Sequence, residues 1–179
     1  MSRTLLLCAL APLLCLAAPC SAQEVFAGVY KHAVDTPFTL SSGEGGIDVE
    51  LGYRFPRLRA LKVIGKPAPY LIASVNSQGD TSFAGAGLGW KLGKGPLYAR
   101  PGIGLVVHTG PSLRVGPKGL RTDLGSRVLF EPELAIGLRV SPKVALEASW
   151  THISGGRVFN RRQNPGIDMI GVRLAFRLR

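Results

Sequence analysis

From Glu24 onward the apolar residues of this chain recur at every second position, in segments of about ten residues separated by clusters of glycine, proline, aspartate and serine. A period of two puts apolar side chains on one face of an extended strand and polar or small ones on the other. Eight such segments are legible, at about residues 24–34, 46–55, 67–76, 82–92, 96–108, 127–140, 143–155 and 166–178. In the sixth, Val128, Phe130, Pro132, Leu134, Ile136, Leu138 and Val140 share one face, while Glu131, Glu133, Ala135, Gly137 and Arg139 share the other. The fourth sets Ala84, Ala86, Leu88, Trp90 and Leu92 against Phe83, Gly85, Gly87, Gly89 and Lys91. The fold class expected is therefore all-β.

A soluble barrel of the lipocalin kind and a membrane barrel have the same periodicity and differ only in which face meets solvent. Three features favour the membrane. The chain opens with Arg3, an apolar run over residues 5–18 and the small residues Ser21 and Ala22, the layout of a secretory signal peptide cleaved after Ala22. The segments exceed the five or six residues usual in soluble sheets. Charges such as Arg54, Arg100, Glu131 and Glu133 fall on the small-residue face, where a narrow lumen would hold them. The reading is thus residues 1–22 as signal peptide and residues 23–179 as an eight-stranded antiparallel up-and-down β-barrel of a Gram-negative outer membrane.

Cys8, Cys15 and Cys20 all lie in the leader, so the mature chain is expected to carry no disulfide and no thiol-bound metal. The apolar run of about 14 residues is too short to span a bilayer as a helix. Of 22 basic residues only Arg3 falls in the leader, against 11 acidic residues elsewhere. No helix-turn-helix, finger or phosphate-loop pattern accompanies that excess, so it points to an anionic membrane, and not to nucleic acid. Gly85-Ala-Gly-Leu-Gly89 lies in a strand with no helix after it, which excludes a dinucleotide loop. With the N-terminus on the periplasmic side, the turns at residues 92–96 and 140–143 are tight and periplasmic. The outer loops are then the basic ones, at 109–126 with Arg114, Lys118 and Arg121, and at 156–165 with Arg157, Arg161 and Arg162. His32 and His108 fall near outer strand ends and are expected in loop or headgroup contacts.

The chemistry gathers in the last two segments. The outward row of the seventh runs Val144, Leu146, Ala148, Trp150 and then His152 and Ser154; that of the eighth begins with Asp168 and continues Ile170, Val172, Leu174, Phe176 and Leu178. Pairing the apolar parts, Leu146 with Leu174 and Trp150 with Ile170, sets His152 across from Asp168. An acid orienting a base beside a hydroxyl is the arrangement that turns serine into a nucleophile. Here it would stand outside the barrel, near the outer leaflet, where an ester can enter sideways.

His152-Ile-Ser154, followed by Gln163-Asn-Pro-Gly-Ile-Asp168 and an alternating last strand, resembles the PagL-type lipid A 3-O-deacylases, grouped with acyloxyacyl hydrolase-like proteins. The motif covers about the last thirty residues, and signal, length and strand count agree over the whole chain. The resemblance implies a hydrolase without a cofactor, a monomer or homodimer, that removes an ester-linked 3-O acyl chain from lipid A of lipopolysaccharide. It implies His152 as base, Ser154 as nucleophile and Asp168 as orienting acid. Two positions depart from the family: Asp168 stands where Glu is frequent, and Gly155 where an Asn after the serine helps bind the oxyanion. Oxyanion donors would then be the N–H groups of Gly155 and Gly156, or the amide of Asn160. Arg157, Arg161 and Arg162 are expected to hold the lipid A phosphates, and Trp150 to border the acyl chain. The alternative is a non-catalytic barrel, an adhesin or structural protein that keeps the fold without the chemistry.

Overall fold

The computed structural model of the protein describes residues 23–39, 42–110, 114–115, 121–122, 124, 126–156, 158 and 166–178; the expected signal peptide, 1–22, lies outside them. The strands are β1 Glu24–Lys31, β2 Ile47–Arg54, β3 Ala68–Asn76, β4 Phe83–Gly89, β5 Leu97–His108, β6 Arg114–Val115, β7 Arg121–Thr122, β8 Val128–Arg139, β9 Val144–Ser154 and β10 Gly166–Arg177. Eight of them close a barrel in the order β1-β10-β9-β8-β5-β4-β3-β2, every neighbouring pair antiparallel. The two-residue β6 and β7 form a separate hairpin within the β5–β8 connection. Closure of β1 on β10 leaves the barrel sheet without a free edge.

The expected segments and the barrel strands coincide apart from their ends. β1 stops at Lys31, short of residue 34, because Ala33 adopts a positive φ of 50° that no strand accommodates. β4 stops at Gly89, and the Trp90 indole N–H beyond it donates to the carbonyl of Ile64. That carbonyl belongs to η1, the 3-10 helix Arg59–Ile64 in the turn between β2 and β3. The turn joins β2 to β3 at the end of the barrel that carries Gln23 and Leu178.

The two faces of the barrel wall have opposite character. Outward rows are apolar and open: Leu51 is 59% exposed, Val107 57%, Ile136 51% and Val172 50%. Each such side chain, left in water, forgoes about 1.5–3 kcal/mol of burial. Strands of twelve residues, rising about 3.3 Å per residue and tilted by about 35–45°, span about the 25–30 Å of a hydrocarbon core.

The interior is the polar side. Arg173, 1% exposed, donates from Nε to Glu147 (2.6 Å) and from Nη1 to Glu133 (2.8 Å) and Glu50 (3.3 Å). Arg54 and Arg100 extend this chain to Glu24 and Glu147. Tyr30, Tyr70 and Tyr98 donate to Glu50, Glu131 and Glu147. The Tyr98 ring fits because residue 137 is glycine; a β-carbon there would collide with it. The lumen is therefore packed with paired charges.

Of the loop or headgroup contacts expected of His32 and His108, the structure shows loop contacts, made from inside the barrel. His32 is 1% exposed and turned into the lumen, its Nδ1 2.7 Å from Asp48 and its Nε2 2.8 Å from Glu44. Burial disfavours its charged form, but the bonds to the two acids outweigh that and push the imidazole up to about 9. His108 is buried against the carbonyl of Ser126. Parity explains both: each continues the inward row of its strand.

Candidate active site

The last two strands meet in the register that matches their apolar rows. Leu146 faces Leu174, Trp150 faces Ile170, His152 faces Asp168 and Ser154 faces Gly166. The acid, the base and the hydroxyl consequently stand together on the outward face, at the end of the barrel opposite Gln23 and Leu178.

Asp168 is fully buried, although its strand position points away from the lumen. Its Oδ1 lies 2.7 Å from His152 Nδ1 and accepts the indole N–H of Trp150 at 2.9 Å. Its Oδ2 accepts the hydroxyl of Thr36, and the carbonyl of the same residue accepts the N–H of Val34 at 2.8 Å. The cover comes from the β1–β2 connection, which folds over the start of β10 because β1 and β10 are neighbours in the closed barrel. An acid held by several donors has its lone pairs occupied and its orientation fixed.

The imidazole of His152 is 13% exposed in its side chain and stacks on Trp150 at 5.9 Å between centroids. Its other edge leans over Gly166, where a β-carbon would collide with Cε1 and lie 2.9 Å from Nε2. The ring edge bearing Nε2 thereby lies over Gly166, the residue that pairs with Ser154 across the two strands. Ser154 is 8% exposed and flanked on its other side by Phe130 of β8. Gly155 is buried; Gly156 is exposed with φ +58°, a left-handed conformation that favours glycine. Asn160, Arg157, Arg161 and Arg162 lie outside the described residues.

Trp150, expected beside the acyl chain, is also a donor to the acid. Phe38, 76% exposed, packs against it with centroids 6.3 Å apart. Thr36 and Phe38 were not legible as site residues, because both come from the far end of the sequence. The signal available was topological: the first and last strands of a closed barrel are neighbours, so the first outer loop borders the start of the last strand. Among the described residues no three His, Cys, Asp or Glu side chains converge as a metal set.

Fold and site together define an eight-stranded barrel of the outer-membrane type with an acid, a base and a hydroxyl aligned on its outward wall. A family model described as lipid A 3-O-deacylase (PagL) matches residues 49–177, which include all three. The chain belongs to that family of outer-membrane lipid A deacylases. The crystal structure of the outer membrane enzyme PagL aligns with a TM-score of 0.59 at 16% identity, covering 86% of this chain and 98% of that one. Neisserial surface protein A aligns with a TM-score of 0.53 at 11% identity, over 88% of this chain and 96% of that one. No curated protein matches the sequence.

Proposed function

We propose that the protein is a serine esterase that hydrolyses the 3-O acyl ester of lipid A. The observation that carries this reading is the buried Asp168 on an otherwise apolar outer wall, bonded to His152, whose far edge overhangs Gly166, the cross-strand neighbour of Ser154. A carboxylate facing hydrocarbon is costly, and here its cover and its donors come from the same local structure.

In the reaction, His152 takes the Ser154 proton as Oγ bonds to the acyl carbonyl carbon. The tetrahedral intermediate then collapses, and His152 returns the proton to the departing sugar oxygen. Water, deprotonated by the same imidazole, attacks the acyl-enzyme and releases the fatty acid with Ser154 restored. Asp168 keeps the Nδ1 side of the ring occupied throughout. The backbone N–H groups of Gly155 and Gly156 serve as oxyanion donors, with Asn160 as a side-chain candidate. Trp150 and Phe38 border the acyl chain, and Arg157, Arg161 and Arg162 take the glucosamine phosphates. Because the row faces outward, substrate arrives laterally from the outer leaflet and needs no channel through the packed lumen. No cofactor enters the scheme.

A catalytically silent barrel is the competing reading, carried by Gly155, which supplies no side-chain amide to an oxyanion; loss of one such donor costs about 10²–10³ in rate. A fluorophosphonate probe separates the two. The folded wild type is expected to be phosphonylated at Ser154, and His152→Ala to lose labelling at equal folded amounts. Absence of labelling in the wild type, or equal labelling of both, would leave the silent barrel as the better account.

A further inference from the structure

Four cations crown the lumen at the end of the barrel opposite the candidate active site. Arg139, Lys143 and Arg177 line a shallow, open concavity together with Lys91 and Glu24. All five continue inward rows, so they face the barrel axis and not the lipid.

Among the described residues Glu24 is the acid that reaches them, and it is shared with two further guanidinium groups. Glu24 Oε2 already accepts from Arg54 (3.3 Å) and Arg100 (2.8 Å), while Lys91 reaches its other oxygen only at 3.9 Å. The Lys91 ammonium instead lies 3.7 Å from the centre of the Tyr98 ring. Burial first, then Arg100 and Arg139, push its proton affinity down to about 8 in spite of Glu24. The Nε of Arg177 is buried and has no hydrogen-bond partner among the described residues. A buried guanidinium nitrogen without an acceptor, among crowded cations, is short of an anion.

We propose that this mouth is a phosphate-binding site, taking an inorganic phosphate or the phosphate of a lipid headgroup at the inner face of the membrane. A tetrahedral oxyanion offers several acceptors to Arg139, Lys143, Lys91 and Arg177 at once, which a single carboxylate such as Glu24 does not. The β2–β3 turn borders the mouth and presents apolar side chains beside it. Arg57 of that turn donates to the Lys91 carbonyl at 3.1 Å, and beside it Val63 and Ile64 are 88% and 50% exposed.

The test uses the folded full barrel in phosphatidylcholine nanodiscs, beside the double variant Arg139→Gln/Lys143→Gln, whose positions are remote from Ser154. Inorganic phosphate is titrated by calorimetry. Lipid retention is read by native mass spectrometry from discs containing phosphatidylcholine and phosphatidylglycerol. Wild type should bind phosphate, more weakly as salt rises, and the double variant about tenfold more weakly. Retention of phosphatidylglycerol by wild type, lost in the variant, assigns the site to lipid headgroups; phosphate binding without such retention assigns it to the free ion. Equal behaviour of wild type and variant in both measurements overturns the proposal. Lys143→Gln alone, on an exposed turn, guards against misfolding of the double variant, and its binding should fall between the other two.

Discussion

Asp168→Asn is expected to lower lipid A turnover by about 10³–10⁴-fold while the barrel folds and inserts normally. The change keeps the side chain's shape but replaces one acceptor oxygen with an NH₂ group. Asp168 now accepts from His152, Trp150 and Thr36. An amide has one oxygen for these donors, so at least one faces another donor. If the amide oxygen stays with the indole and the imidazole, the NH₂ confronts the Thr36 hydroxyl, which can rotate to accept, and the loss is smaller. If the NH₂ faces His152, it favours the tautomer with its proton on Nε2, the one that cannot take a proton from Ser154. Initial rates on lipid A at matched folded amounts decide it. A loss of only a few-fold in both Asp168→Asn and Asp168→Ala would mean that Asp168 is a structural partner of the loop and not part of the chemistry.

Arg173→Met is expected to destabilise the barrel by about 3–5 kcal/mol. Arg173 is the hub on which Glu50, Glu133 and Glu147 converge, and its guanidinium also sits 4.8 Å from the centre of the Phe26 ring. Methionine fills part of the space but leaves three buried acids with one cation fewer. Arg54 and Arg100 still serve Glu147, whereas no other ion pair to Glu50 or Glu133 is seen among the described residues. The measurement is the urea midpoint of the refolded barrel in detergent, followed by the gel mobility difference between folded and unfolded forms. An unchanged midpoint would mean that lipid-facing burial and closure alone hold the fold.

Most of this architecture was legible because a barrel strand encodes it twice, in its alternation and in its turns. The pairing of His152 with Asp168 could be read because the apolar rows of β9 and β10 fit in one register; a slip by one residue would turn leucines into the lumen and Glu147 and Arg173 toward lipid. What sequence could not provide was the cover on Asp168. Thr36 is 132 residues away, and the loop that carries it has no periodicity to mark its path. For the histidines the strand ends made a loop contact legible but not its side: parity sends His32 inward, to Asp48 as well as to Glu44 of the loop. The bond from Trp150 to Asp168 was also hidden, since alternation marks the indole as outward and says nothing of where its N–H points.

The most direct test of the central claim is mass spectrometry of lipid A from Gram-negative cells producing wild type or Ser154→Ala, each shown to reach the outer membrane in equal amount. The account predicts that wild type alone shifts lipid A down by the mass of one hydroxyacyl chain. A shift of the same size with Ser154→Ala, or no shift with wild type, would contradict it.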